Sequence, residues 1–230
     1  MRYTHIVFDV DGTLIDTENA VLSSLRDVIK EISKRDTQLD ELRFALGITG
    51  DKALTELGME DVGYANSLWQ KYFSRYAKDI TVFDGIREVL ELLISQSRFL
   101  GIITSKTKNE YQNDFIPFGI AHYFNIVIFA DDTINHKPHS EPMLKFLQET
   151  KADPKKTLYI GDTVYDMECA RGAGVDFALA LWGCKKPEGI KADYYLANPG
   201  ETGALTRPAS ANAFGRQAAC PGALPPNPHM

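Results

Sequence analysis

The sequence predicts an α/β fold: a doubly wound parallel sheet interrupted by an inserted block of helices. Three observations carry that expectation. Apolar strand-like runs alternate with helix-period segments over most of the chain, the pattern of parallel strands joined by right-handed crossovers. The alternation breaks once, between about residues 16 and 80, where helical periodicity stands alone. The polar residues able to do chemistry fall at the carboxyl ends of the strand-like runs, where such sheets bind their ligands.

The first strand is expected at Ile6-Val7-Phe8, which runs into Asp9-Val10-Asp11-Gly12-Thr13 and is stopped by the glycine. Side chains two apart share a face of a strand, so Asp9 and Asp11 leave it side by side. Carboxylates that close repel, and a fold keeps both where a cation or a proton relieves them. Taken alone, Asp-x-Asp-Gly is more often a solvated acidic turn.

Helical spacing then takes over. Val21, Leu25, Val28, Ile29 and Ile32 mark one helix, with Asp16 or Thr17 as N-cap. A second short helix ends at Gly47. Gly47-Ile48-Thr49-Gly50 reads as a loop, and a third helix runs through Ala53 and Leu54 to Gly58. A longer fourth helix carries Leu68, Tyr72, Phe73 and Tyr76.

From Phe83-Asp84-Gly85 the alternation resumes with a helix through Ile86, Val89, Leu90 and Leu93. Strand Phe99 to Ile103 ends in Thr104-Ser105-Lys106. Strand Ile126 to Phe129 leads through a polar loop to Lys137-Pro138, then helix Pro142 to Thr150. Strand Thr157 to Ile160 ends in Gly161-Asp162, followed by helix Tyr165 to Gly172, strand Phe177 to Leu181 and a short strand near Tyr194-Tyr195. The domains expected are a discontinuous core, 1–15 and 81–200, and a helical insert, 16–80. Residues 201–230 hold five of the eleven prolines, seven alanines and no Val or Ile. Such composition buries too little apolar surface to offset chain entropy, and a disordered tail is expected.

At 230 residues and 44% hydrophobic, the chain can bury one good core and a small second domain. A net charge of −6 argues against a nucleic-acid binder. No apolar stretch approaches the roughly 20 residues that span a bilayer. The first residues run directly into a strand with no room for a signal peptide, and Cys169, Cys184 and Cys220 form neither an even set nor a Cys-x-x-Cys. A cytoplasmic protein without a disulfide framework or zinc site is expected, as monomer or homodimer, with no nucleic-acid or membrane partner.

These residues suit phosphoryl transfer. A carboxylate nucleophile and a phosphate are both anions, so catalysis rests on positioning and charge neutralisation. Mg²⁺ held by carboxylates is the usual means. Asp9 can attack phosphorus while its other oxygen binds the metal. Asp11 can protonate the leaving oxygen and later deprotonate water. The Thr104 hydroxyl suits a phosphate oxygen, and Lys137 can neutralise nucleophile and phosphate. Gly161-Asp162-Thr163-Val164-Tyr165-Asp166 sets two acids four apart. Asp162 is the better metal ligand, while Asp166 binds a metal water or holds Lys137. Singly, Asp162 could be an N-cap, Thr104 a helix cap and Lys137 a surface lysine. With the Asp9–Asp11 pair they make four such features in order at one sheet edge, and together these point to a site.

In these motifs the chain resembles the haloacid dehalogenase-like phosphohydrolases over about residues 4 to 198. Asp9-Val10-Asp11-Gly12-Thr13 matches the first motif, Thr104 or Ser105 the second, Lys137 the third, and Gly161-Asp162 with Asp166 the fourth. The resemblance implies a Rossmann-like core, a helical cap inserted between the first two motifs, and Mg²⁺-dependent hydrolysis through an aspartyl-phosphate. It implies Asp9, the Asp11 backbone carbonyl, Asp162 and Asp166 (through water) around the metal, and Gly12, Thr13, Thr49, Thr104, Ser105 and Lys137 around phosphate. Asp11 separates the chain from the dehalogenases, which carry no acid there.

The chain looks most like the phosphoglycolate phosphatase branch, so the substrate expected is a small-molecule phosphate ester. 2-Phosphoglycolate comes first, then pyrophosphate or a sugar phosphate. Sugar-phosphate mutases of the family carry a His and an Arg where this chain has Val21 and Gly50, which favours hydrolysis. A phosphoacceptor signalling domain is the rival from another class, but such domains are half this length and place their acceptor after a later strand. Two departures stand out: Ser140 where the branch often has proline, and a tail unlike the closing helix of relatives.

Overall fold

The computed structural model describes residues 2–206. In chain order its strands are β1 (His5–Phe8), β2 (Ile15–Asp16), β3 (Thr81–Val82), β4 (Phe99–Ile103), β5 (Ile126–Ile128), β6 (Thr157–Gly161), β7 (Asp176–Ala180) and β8 (Tyr194–Leu196). The helices are α1 (Glu18–Ser33), α2 (Gly50–Glu56), α3 (Val62–Phe73), α4 (Ile86–Ser95), α5 (Lys108–Asp114), α6 (Glu141–Thr150), α7 (Val164–Gly172) and α8 (Glu201–Leu205). Six strands make one parallel sheet in the order β5-β4-β1-β6-β7-β8. β1 is central, with Phe8 opposite Ile102 of β4 and Ile160 of β6. The three strands that carry the expected motifs are therefore neighbours.

The period of two along β1 divides the core. Ile6 and Phe8 join Leu100, Ile102, Leu158, Ile160 and the α4 residues Val89, Leu90 and Leu93 on one face. Val7 joins Ile103, Tyr159 and Phe177 with Met143, Phe146 and Cys169 of α6 and α7 on the other. With both faces covered by helices, the strands read as continuous apolar runs.

The insert has a core of its own, built from Leu22, Leu25, Val28, Ile29, Leu42, Leu54, Trp69 and their neighbours. Within it the Trp69 indole N–H donates to Ser24 Oγ at 2.8 Å, tying α3 to α1. Two expectations about the insert change in detail. The second helix is a 3-10 segment, Leu39–Ala45, and Tyr76 lies in another, Ser74–Asp79, that follows α3. The insert is also gated by an antiparallel pair, β2 with β3. Strands of two residues are too short to leave a periodic pattern.

The tail expectation is corrected at its start. Residues 201–206 are not loose. α8 packs beside α4, and Leu205 is 3% exposed in the main core. Buried Arg98 donates to the Tyr3 carbonyl at 2.9 Å and the Thr206 carbonyl at 2.7 Å, holding this end of the chain against the start of β1. One Leu among Gly, Ala and Thr gave no periodic signal, yet Thr202 and Gly203 fit the interface because they are small. The rest of that expectation, 207–230, lies outside the described residues, as does Cys220.

Candidate active site

The chemistry-bearing turn follows β1. Asp9 is held in strand register by its N–H donating to the Ile160 carbonyl at 2.9 Å. The chain then folds back sharply, with the amides of Thr13, Leu14 and Ile15 all donating to the Val10 carbonyl. Gly12 makes this possible. Its φ is +79°, which disfavours any side chain, and a Cβ there would sit 2.2 Å from Asp162 Oδ2. The Gly12 backbone and the Asp162 carboxylate are packed that closely.

Asp9 is 2% exposed and Lys137 2% exposed. Lys137 Nζ donates to Asp9 Oδ1 at 2.7 Å and to Asp166 Oδ1 at 2.8 Å, so one ammonium bridges two carboxylates. Asp166 is fully committed. Its Oδ1 also accepts from the Tyr159 hydroxyl at 2.9 Å, and its Oδ2 from the Thr163 hydroxyl and amide. Burial opposes the charge on Lys137, but the Asp166 and Asp9 carboxylates outweigh it and hold the lysine protonated far above its ordinary range. Burial also pushes Asp9 up, to about 7, against the pull of Lys137, with Asp166 and Asp11 adding to the rise. Asp162 is raised in the same direction, first by burial and then by its carboxylate neighbours Asp166 and Asp9.

The three bland alternatives for these residues fail. Thr163, not Asp162, caps α7, its hydroxyl accepting from the Asp166 amide. Thr107, not Thr104, caps α5 in a reciprocal box with Glu110. Lys137 is buried.

Oxygen atoms of Asp9, Asp162 and Asp166 lie within 4.8 Å of one another, so the cluster could hold a divalent metal ion. The donor set fits a hard cation: carboxylates alone, with Asp9 Oδ2 buried and accepting no hydrogen bond. Asp9 and Asp162 suit direct ligation better than Asp166, whose lone pairs already have donors.

A cavity of about 300 Å³ opens onto Asp9, Asp11, Gly12, Lys137 and Asp162. Ser105, Lys106 and Asp114 line its side, and Val21, Ile48, Asn66, Trp69 and Phe73 of the insert roof it. Three of the expected phosphate contacts have protein partners for their hydroxyls, and a fourth lies outside the cavity lining. Thr13 is fully buried and its hydroxyl donates to Asp162 Oδ1 at 3.1 Å, orienting that carboxylate. Thr104 is buried, with its hydroxyl accepting the Lys106 amide at 3.1 Å. Ser105 donates its hydroxyl to the Gly47 carbonyl at 2.8 Å, linking core to insert. Thr49 precedes α2 as its N-cap residue, outside the cavity lining.

Sequence reasoning missed Lys106 and Asp114. Lys106 Nζ lies 3.3 Å from Asp11 Oδ1 and 3.2 Å from Asp114 Oδ2, 5.1 Å over the Phe73 ring. Burial opposes its charge, and Asp11, Asp114 and Glu110 more than offset that. Lys106 stands beside a motif residue, which was the available signal. Asp114 ends a helix whose spacing says nothing of its partner.

Comparison with known proteins gives a consistent result. The family model described as haloacid dehalogenase-like hydrolase matches residues 6–180. The chain is 29% identical over 199 residues to a phosphoglycolate phosphatase of Aquifex aeolicus, covering 85% of this chain and 93% of that protein. It is 27% identical over 203 residues to the pyrophosphatase PpaX of Oceanobacillus iheyensis, covering 85% and 93%. A crystal structure from Lactobacillus plantarum, provisionally named a phosphoglycolate phosphatase, superposes with a TM-score of 0.80 at 28% identity, over 88% of this chain and 98% of that one.

Proposed function

The chain belongs to the haloacid dehalogenase-like hydrolases, and from that premise we propose that it is a Mg²⁺-dependent phosphatase cleaving a small phosphomonoester through an aspartyl-phosphate on Asp9. The observation that carries this reading is the buried Asp9–Lys137–Asp166 chain, with one Asp9 oxygen unpartnered, at the floor of a cavity shared with Asp11.

Asp9 is the nucleophile. Lys137, fixed from behind by Asp166, holds one oxygen of Asp9 and so sets the direction from which the carboxylate meets phosphorus. As the Asp9–phosphorus bond forms, the ester P–O bond breaks, and its electron pair stays on the leaving oxygen, which takes the proton of Asp11. Asp11 then accepts a proton from water as that water attacks the phosphoenzyme, releasing inorganic phosphate and restoring Asp9. Asp9, Asp162 and the Asp11 backbone carbonyl would hold Mg²⁺, which would supply the charge neutralisation that lets a carboxylate approach a phosphate.

Two cavity residues favour hydrolysis over transfer to a second sugar hydroxyl. Val21 and Gly50 both line the cavity and neither has a side-chain donor. A Cβ at Gly50 would also meet Asn66 Oδ1 at 2.8 Å, so no longer side chain enters there without displacing Asn66.

For the ester we keep 2-phosphoglycolate first, then pyrophosphate or a sugar phosphate, which follows the names of the relatives. Its carboxylate needs a cation. Lys137 and Lys106 each bridge two carboxylates, whereas Lys185 stands 3.8 Å from Glu18 and is 55% exposed, so Lys185 is the one able to turn to it.

The test is release of phosphate by purified protein from a panel of phosphomonoesters and pyrophosphate, with Mg²⁺ and with EDTA. The expected result is hydrolysis lost in EDTA and restored by Mg²⁺. Full activity in EDTA overturns the metal requirement. Interconversion of hexose 1- and 6-phosphates faster than any phosphate release overturns the hydrolase reading.

A further inference from the structure

The two acids of the first turn are served by matching devices. Asp9 is bridged by Lys137 to Asp166, and Asp11 is bridged by Lys106 to Asp114. Each lysine is at least nine-tenths buried; Lys106 follows β4, the neighbour of β1, and Lys137 lies in the loop after β5, the neighbour of β4. The first device orients a nucleophile. The second has no part in the steps above, although Lys106 and Asp114 both line the cavity.

Asp11 needs such a restraint more than Asp9 does. Its side chain is 22% exposed, on the turn after β1 rather than in it, and its Oδ1 is buried without accepting a hydrogen bond. The Lys106 ammonium, 3.3 Å away, is the charge that faces that oxygen. Lys106 is itself fixed from three sides: Asp114 at 3.2 Å, the Phe73 ring at 5.1 Å, and its backbone, whose N–H goes to Thr104 Oγ1 and whose carbonyl accepts from Ala130. A cation so constrained can fix a carboxyl but cannot follow a substrate.

We infer that Lys106, anchored by Asp114, is a positioning residue for Asp11 that aims its carboxyl at the leaving oxygen. The inference rests on Asp11 being the acid/base, as proposed above. Its consequence depends on the leaving group. An alkoxide needs a proton to depart, whereas para-nitrophenolate is stable enough to leave with little help. Misaiming the acid therefore costs alkyl esters more than aryl esters, which loss of a substrate contact or a general loosening of the fold does not do.

The experiment measures kcat and KM of wild type, Lys106→Met, Lys106→Arg, Asp114→Asn and the double variant Lys106→Met/Asp114→Asn. The substrates are para-nitrophenyl phosphate and the best alkyl ester of the panel, and melting temperatures are followed in parallel. Asp9→Asn is the control: wild-type turnover that this variant lacks establishes the phosphatase reading independently. Lys106→Met is expected to lower kcat/KM on the alkyl ester at least about tenfold more than on the aryl ester, with Lys106→Arg recovering part of it and Asp114→Asn changing in the same direction. The double variant removes both partners of one ion pair. It is expected to fold but not to regain alkyl-ester turnover. Equal losses on both esters overturn the inference, as does a rise in KM with kcat unchanged, which would make Lys106 a substrate contact. Recovery of alkyl-ester activity by the double variant overturns it too, leaving Lys106 a structural staple.

Discussion

The floor and the roof of the cavity are built on opposite plans. On the floor, charges are dense, buried and paired: Asp9 and Asp11 each have a lysine, and each lysine has a further carboxylate. The roof, from the insert, offers Val21, Ile48, Trp69 and Phe73 with the amides of Asn66 and Gln70, and no cation among the described insert residues that line the cavity. The floor stands on adjacent parallel strands whose register fixes Cα positions. The roof stands on helices with a separate core, attached through the short β2–β3 pair and contacts such as Ser105 to Gly47. Reactive groups belong where geometry is rigid, and shape selection belongs where residues can change without disturbing it.

The sharpest way to break this contrast is at the floor. Asp9→Asn should remove turnover by at least about a thousandfold, since the amide neither attacks phosphorus nor ligates metal well. The fold should survive, because Lys137 keeps Asp166 as its partner. More than about a tenth of wild-type activity would remove Asp9 from the centre of the mechanism.

The same contrast explains what the sequence disclosed. The floor was legible where a strand run, a glycine and an acid coincide, at Asp9 after β1 and at Asp162 after β6. What sequence reading missed depends on partners distant in the chain. Nothing near Asp114 points to Lys106, nothing near Thr13 points to Asp162, and the alternate-face residue Tyr159 looks like core until its hydroxyl meets Asp166. The roof was legible as helices but not in its 3-10 segments, whose spacing over six or seven residues differs little from a helix turn. α8 was misread because five residues of modest apolarity resemble a tail until Leu205 finds the core.

Leu205→Ala therefore separates structure from chemistry. Removing a fully packed leucine costs about 2–5 kcal/mol, roughly 4–20 °C in melting temperature for a chain of this size. Turnover at low temperature should be nearly unchanged, because α8 lines no part of the cavity. An unshifted melting temperature would show that α8 adds nothing to the core.

At the rim, Lys185→Met should raise KM for 2-phosphoglycolate about three- to tenfold while leaving para-nitrophenyl phosphate within twofold, the signature of a lost charge contact made only by the anionic substrate. Equal effects on both would take Lys185 out of substrate recognition.

Ser105 tests the seam between the two plans, and the expected effect is the smallest. The family resemblance put its hydroxyl on phosphate, whereas in the structure the hydroxyl donates to the Gly47 carbonyl at 2.8 Å. Gly47 itself is hard to replace, with φ at +85° and a Cβ site 2.9 Å from Thr163 Cγ2, so the insert meets the core there through backbone alone. If Ser105 joins roof to floor, Ser105→Ala loses one hydrogen bond of about 1 kcal/mol. The roof then spends more time open, and KM for every ester rises by the same factor, about fivefold at most, with kcat little changed. A phosphate contact behaves otherwise: its loss weakens inhibition by inorganic phosphate and lowers kcat, because the contact would persist into the transition state. Measuring the inhibition constant for phosphate beside KM for a large and a small ester decides between them. A uniform rise in KM places Ser105 in the hinge contact, and weakened phosphate inhibition with reduced kcat returns it to the phosphate site.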